Sequence, residues 1–251
     1  MNNNNLSILF EKGGFSFSVF KNSTELSHSE FINFDINSEM NIELILENCI
    51  KENLYLKQEY NSVNICFLNN QFNIIPNEYY TAENDKEMWI SFNTEIYEND
   101  KIIKESLGLY DAQFLYSYPH EVETILAKYF SNYSIQNASF LFIESIKSEN
   151  NEPEVFINLH DKSLEIICLN NNKLLFYNMF EVNSNNDIIY YILNIYKQLE
   201  LDTNKNILYY FGKVQEKENL LKMLLNFVRN VVPGVDNKSM LSNFTHYKNI
   251  S

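Results

Sequence analysis

One arrangement of strands and turns occurs twice in this chain, displaced by about 149 residues, and it constrains the fold more than any other feature. In the first copy Leu6–Phe10 reads as a strand and Glu11-Lys12-Gly13-Gly14 as a turn. Phe15–Phe20 then alternates Phe15, Phe17 and Val19 with Ser16 and Ser18, the period of two expected of a half-buried strand. A turn over Lys21–Glu25 leads to a third strand, Leu26–Phe34. Ser38–Leu56 spells a helix, with Ile42, Ile45, Leu46, Cys49, Ile50 and Leu54 three and four residues apart on one face. Val63–Leu68 follows as an almost wholly apolar strand, suited to the interior of a sheet.

The second copy repeats this order. Val155–Leu159, Leu164–Leu169 and Leu174–Phe180 align with the first three strands, and both turns align with them. Ser184-Asn185-Asn186-Asp187 makes a capping box for a helix whose buried side carries Ile188, Ile192, Ile195, Tyr196 and Leu199. Asn206–Phe211 is the next strand. Two unrelated meanders would also satisfy the local patterns, but five elements and two turns in one order favour duplication. The fold class expected is α/β, two lobes each built strand-strand-strand-helix-strand.

Between the copies the pattern changes. Phe72–Pro76 is extended, Glu83–Leu107 is helical in part, and Ala112–Tyr118 is a strand, because the residue before a proline avoids helical geometry. Pro119 opens a helix through Phe130, and Ala138–Ile146 fits strand or helix equally. Glu216–Val232 reads as a final helix with Leu220, Leu221, Leu224, Phe227, Val228 and Val231 inward. The organisation expected is a first lobe beginning over residues 1–70, an inserted α+β subdomain over 71–150, a second lobe over 151–235, and a loosely held tail over 236–251.

Composition removes several function classes. The formal charge is −14 with no Lys/Arg block, so nucleic acid is not an expected partner and anionic lipid would repel the chain. No apolar run reaches the length of a membrane span, and Met1–Asn5 lacks the basic-then-apolar order of a leader, so cytoplasmic residence is expected. Cys49, Cys66 and Cys168 are far apart and read as free core thiols. His28, His120, His160 and His246 have no metal-binding spacing, and no phosphate-loop, dinucleotide or nucleophile-elbow motif exists. His160-Asp161 fits a general-base pair on paper, but a solvent-facing turn accounts for it better. Trp89 fits either core or a partner anchor, and the clusters Tyr79-Tyr80 and Tyr190-Tyr191 with Tyr196 suit an interface or a sheet–helix layer.

A meander of three strands, a helix and a strand, present twice, resembles the actin, sugar-kinase and heat-shock-chaperone superfamily, and within it the pilus-assembly and cell-division members. Lys173–Asn178, Asp187–Leu201, Phe227–Val231 and Asn73-Ile74-Ile75-Pro76 are similar to an uncharacterised bacterial family grouped with the actin-like ATPases. The resemblance implies two RNase H-like lobes and supplies no activity.

Active members of that superfamily place Asp-x-Gly after the first strand of each lobe, with Thr or Ser four residues beyond. The aspartate manages metal and water, and the glycine admits phosphate close to backbone amides. The matching residues here are Leu9, Glu11 and Phe15 in the first lobe and Asn158, His160 and Leu164 in the second. Leu164 and Phe15 are expected to fill the phosphate space. The adenosine turn reads Tyr210-Phe211-Gly212-Lys213, and the whole chain has only five glycines. The expectation is a non-catalytic actin-like protein that binds a protein partner or itself, with no cofactor and no metal. The alternative is a divergent switch holding Mg-ATP through Gly13, Gly14, Asn158, Asp161 and Gly212, with weak or no ATPase activity.

Overall fold

The computed structural model describes residues 4–22, 25–33, 42–80, 86–148, 150–212 and 217–234. These fall into two compact units divided between Leu141 and Phe142. The expected helical residues 38–41 and 83–85, the tail from 236, and Lys213 and His246 lie outside the described residues.

In the first unit β1 (Asn4–Glu11), β2 (Gly14–Lys21) and β3 (Glu25–Asn33) form an antiparallel meander. Helix α1 (Ile42–Glu52) returns the chain to β4 (Ser62–Phe67), which lies parallel to β1. The helix is shorter than its periodicity predicts. Asn53 ends it, its side-chain oxygen accepting from the Tyr55 and Leu56 amides, so Leu54 is 67% exposed instead of inward.

Next come β5 (Phe72–Pro76), α2 (Lys86–Ser91), β6 (Asp100–Leu107) and β7 (Ala112–Pro119). They build a separate sheet in the order β5-β7-β6. Pro119 closes β7 and flanks α3 (His120–Tyr129), its extended backbone sitting just outside the helix instead of at its first residue. β8 (Tyr133–Asn137) has no counterpart among the expected elements; it pairs parallel to β4 and completes a first sheet in the order β3-β2-β1-β4-β8. Residues 138–145 resolve as helix α4 (Ala138–Ser145), opened by the Asn137 side-chain oxygen, which accepts from the Ser139 amide at 2.8 Å.

The second unit repeats the plan without the extra sheet. β9 (Glu154–Leu159), β10 (Ser163–Asn170) and β11 (Lys173–Glu181) form the meander, α5 (Asn185–Gln198) crosses over, and β12 (Leu208–Gly212) lies parallel to β9. Ser184 caps α5 by accepting from the Asp187 amide, while Asp187 accepts from the Asn183 amide. The helix predicted to run through Val232 ends early: α6 covers Lys217–Leu224, and Val231–Pro233 is strand β13, parallel to β12. Leu225 and Phe227 point outward, because the free edge of β12 offers Val231 and Val232 hydrogen bonds that a longer helix would forfeit. The order β11-β10-β9-β12-β13 matches the first sheet strand for strand.

The repetition reaches backbone detail. The β2–β3 register slips between Val19 and Phe20, and the β10–β11 register slips between Cys168 and Leu169. Asn22 and Asn171 both hold left-handed backbone, with φ of 50° and 49°. Each pair is separated by the same interval as the strands. Ile157, Leu164, Ile166 and Cys168 meet Ile192, Ile195 and Tyr196 of α5 and Leu220 and Leu224 of α6 in one core. Burying such side chains supplies about 1.5–3 kcal/mol each.

Candidate functional site

Gly13 and Gly14 lie in the β1–β2 bend, where Glu11 faces Gly14 across the hairpin. Gly13 needs its freedom for a φ of +91°, and a Cβ there would meet nothing within 4 Å. Gly14 has a structural reason of its own: a Cβ would lie 2.2 Å from the Ile32 carbonyl oxygen of β3. Leu9 and Phe15 are buried in the first unit, with the Phe10 and Phe15 rings 5.4 Å apart.

In the second unit Asn158 and Gly212 are brought together. Gly212 pairs with Leu159 and Phe211 with Asn158 across the β9–β12 ladder. At Gly212 φ is +78° and a Cβ would lie 2.1 Å from the Leu159 carbonyl oxygen, so only glycine fits there without strain. Asp161 is exposed in the two-residue bend that the His160 amide closes onto the Ser163 carbonyl at 2.9 Å. Gly212 therefore serves strand pairing, and Asp161 lies out on the turn.

The chemistry of this bend belongs to a residue that strand periodicity does not single out. Glu165 is 0% exposed on β10, on the face opposite Leu164 and Ile166. Its carboxylate accepts from the Asn158 amide nitrogen and the Tyr177 hydroxyl, each at 2.8 Å, and meets His160 Nε2 at 2.8 Å. A buried carboxylate is tolerable only with such partners. The side chains of Asn158 and His160, which the resemblance sets at the aspartate and glycine positions of a nucleotide motif, are thus turned onto the buried Glu165 carboxyl group. The available signal was one acidic residue in an otherwise apolar strand, and alternation alone assigns it to solvent.

Other singled-out residues settle into plainer roles. Burial pushes the Cys168 thiol up to about 12, away from nucleophilic use. Tyr196 is core, its hydroxyl donating to the Asn206 carbonyl, whereas Tyr190 is 64% exposed. Trp89 is half-buried on α2 with the Phe92 ring 5.8 Å away. Among the described residues no cluster of three His, Cys, Asp or Glu side chains is placed to hold a metal, and no helix is long and apolar enough to cross a membrane.

The chain belongs to the DUF3822 family, a family of proteins of unknown function, whose model matches residues 1–231. It has the actin-like ATPase fold. A solved protein from Bacteroides thetaiotaomicron, described as having an actin-like ATPase fold and unknown function, superposes with a TM-score of 0.75 at 25% identity, over 99% of this chain and 95% of that one. A structure of the PilM–PilN type IV pilus biogenesis complex matches with a TM-score of 0.60 at 10% identity, over 93% of this chain and 88% of that one. No curated protein matches the chain.

Proposed function

We propose that this DUF3822 member is a non-catalytic, cytoplasmic protein-interaction module that keeps the actin-like scaffold without its nucleotide chemistry. The observation that carries this reading is the Glu165 cluster: Asn158, His160 and Tyr177 are committed to a buried carboxylate at the bend where relatives of this fold handle phosphate. With that bend engaged, the scaffold's remaining asset is surface, and PilM–PilN gives a precedent for this fold in a two-protein complex.

The rival reading, an ATP-binding switch through Gly13, Gly14, Asn158, Asp161 and Gly212, draws support from the open backbone at Gly13. A thermal-shift titration with Mg-ATP separates the two. A ligand at about 100 times its dissociation constant stabilises its receptor by about 2.7 kcal/mol, a readily visible rise in Tm. The expected result is no saturable rise; a saturable rise with Mg-ATP establishes the switch instead.

A further inference from the structure

The short helix α2 lies against the β5-β7-β6 sheet, with Ile90 fully buried beneath it. The helix and the segment after it leave Met88, Phe92 and Tyr97 42%, 72% and 64% exposed. Trp89, the one tryptophan of the chain, is half-buried with the Phe92 ring 5.8 Å away. Its indole Nε1 is covered, yet among the described residues it has no hydrogen-bond partner. A ring partly at the surface with its donor unmet has the arrangement of an anchor, not of a core filler.

This exposure is built in. The Asn73 side chain donates to the Trp89 carbonyl at 2.8 Å, the Asn93 side chain to the Phe72 carbonyl at 3.0 Å, and the Gln71 side chain to the Glu95 carbonyl at 3.4 Å. Three consecutive residues, Gln71 to Asn73, thus hold residues 89–95 alongside β5. Tyr97 is fixed in turn, its amide donating to Asp100 Oδ2 at 3.3 Å and its carbonyl accepting from the Asp100 amide at 3.0 Å. The surroundings are acidic: residues 71–119 hold nine acidic residues and three lysines. Two of those lysines are engaged, Lys101 with Glu123 and Lys104 over the Tyr80 ring. Glu95 and Glu98, on either side of Tyr97, are exposed, and among the described residues no cation pairs with them.

We propose that this patch docks a basic amphipathic segment of another protein. The segment's apolar side chains cover Met88, Trp89 and Phe92, and its Lys or Arg side chains lie beside Glu95 and Glu98 and over Tyr97. Charge complementarity selects this occupant: aromatic side chains flanked by unpaired carboxylates reject acidic partners and accept cationic ones. A second copy of the chain, at a net charge of −14, brings the wrong sign. Lys104, 4.9 Å from the centre of the Tyr80 ring, shows the same cation-on-aromatic contact within the subdomain. Tryptophan and tyrosine held rigidly from behind are the residues that concentrate binding energy in a small area. The proposal names a partner class for the interaction role above and rests on that reading.

Because Trp89 is the one tryptophan, its fluorescence makes the test local to this patch. The full chain is titrated with three tryptophan-free synthetic peptides: an amphipathic helix of Leu and Lys, the same helix with Glu for each Lys, and the Leu–Lys peptide with its apolar face scrambled. The expected result is a saturable blue shift with the first peptide alone, weakened by added salt. Phe92→Ala, and Glu95→Lys combined with Glu98→Lys, alter exposed side chains outside the core and should each raise the dissociation constant about tenfold. No shift with the Leu–Lys helix, an equal shift with either control, or unchanged affinity in both variants overturns the proposal. A shift that follows protein concentration without peptide also overturns it, by making a second copy the occupant. These failures strike this surface alone, whereas a saturable rise in Tm with Mg-ATP strikes the interaction reading beneath it.

Discussion

Glu165 shows how one side chain decides what a bend can do. Its carboxyl group has three partners at 2.8 Å and no exposure, so each contact is worth more than an average surface hydrogen bond. Tyr177→Phe removes one donor with little change in shape, and we expect it to lower the unfolding free energy by about 1.5–3 kcal/mol, read from the urea midpoint at unchanged m-value. A shift under about 0.5 kcal/mol would place that hydroxyl outside the network. Gly212 teaches a related lesson. It is the last residue of β12, and the approach of the Leu159 carbonyl oxygen by itself requires glycine there.

At the scale of elements, local signals succeeded wherever the partner was local. The Ser184 cap was legible because Ser and Asp three residues apart satisfy the helix's own orphan amides. The Asn183 and Ser184 contacts hold the Asp187 carboxyl below its usual range. Ser184→Ala should cost about 1 kcal/mol, measurable as a lowered urea midpoint. Signals failed where a distant neighbour chose the conformation. Val231 and Val232 continue a helical spacing from Leu220, yet β12 claims them as a strand, and Phe227 is 51% exposed as a result. Tyr133–Asn137 has no strong alternation and becomes a strand because β4 has an open edge.

At the scale of the whole molecule, one surface tie in the first unit makes stability depend on pH. Glu47 of α1 accepts from Lys128 and Tyr129 of α3 and pairs with Lys51. Hydrogen bonds from Lys128, Tyr129 and Lys51, in that order, lower its pKa from 4.5 to about 2. A folded-state value below the unfolded one means the tie contributes fully above pH 4.5 and is lost as pH falls towards about 2. Urea unfolding followed from neutral pH down through that window should therefore show a steeper loss for wild type than for Glu47→Gln. Parallel curves would mean the ion pair contributes nothing. The order of the five-stranded sheets follows from the same economy at this scale: a meander, a crossover helix and parallel strands added beyond the first strand give both halves the same solution.

The sequence by itself determined the duplication, the three-stranded meanders, the crossover helices and the loss of the aspartate and glycine pattern at both bends. Those features rest on periodicity, turn chemistry and residue identity, which are properties of neighbours along the chain. Only the tertiary structure decided that Glu165 turns inward onto Asn158, His160 and Tyr177, and that residues 231–233 leave a helical register for a sheet edge. Burial and edge pairing depend on which distant segment arrives alongside, and a linear pattern carries that information only weakly.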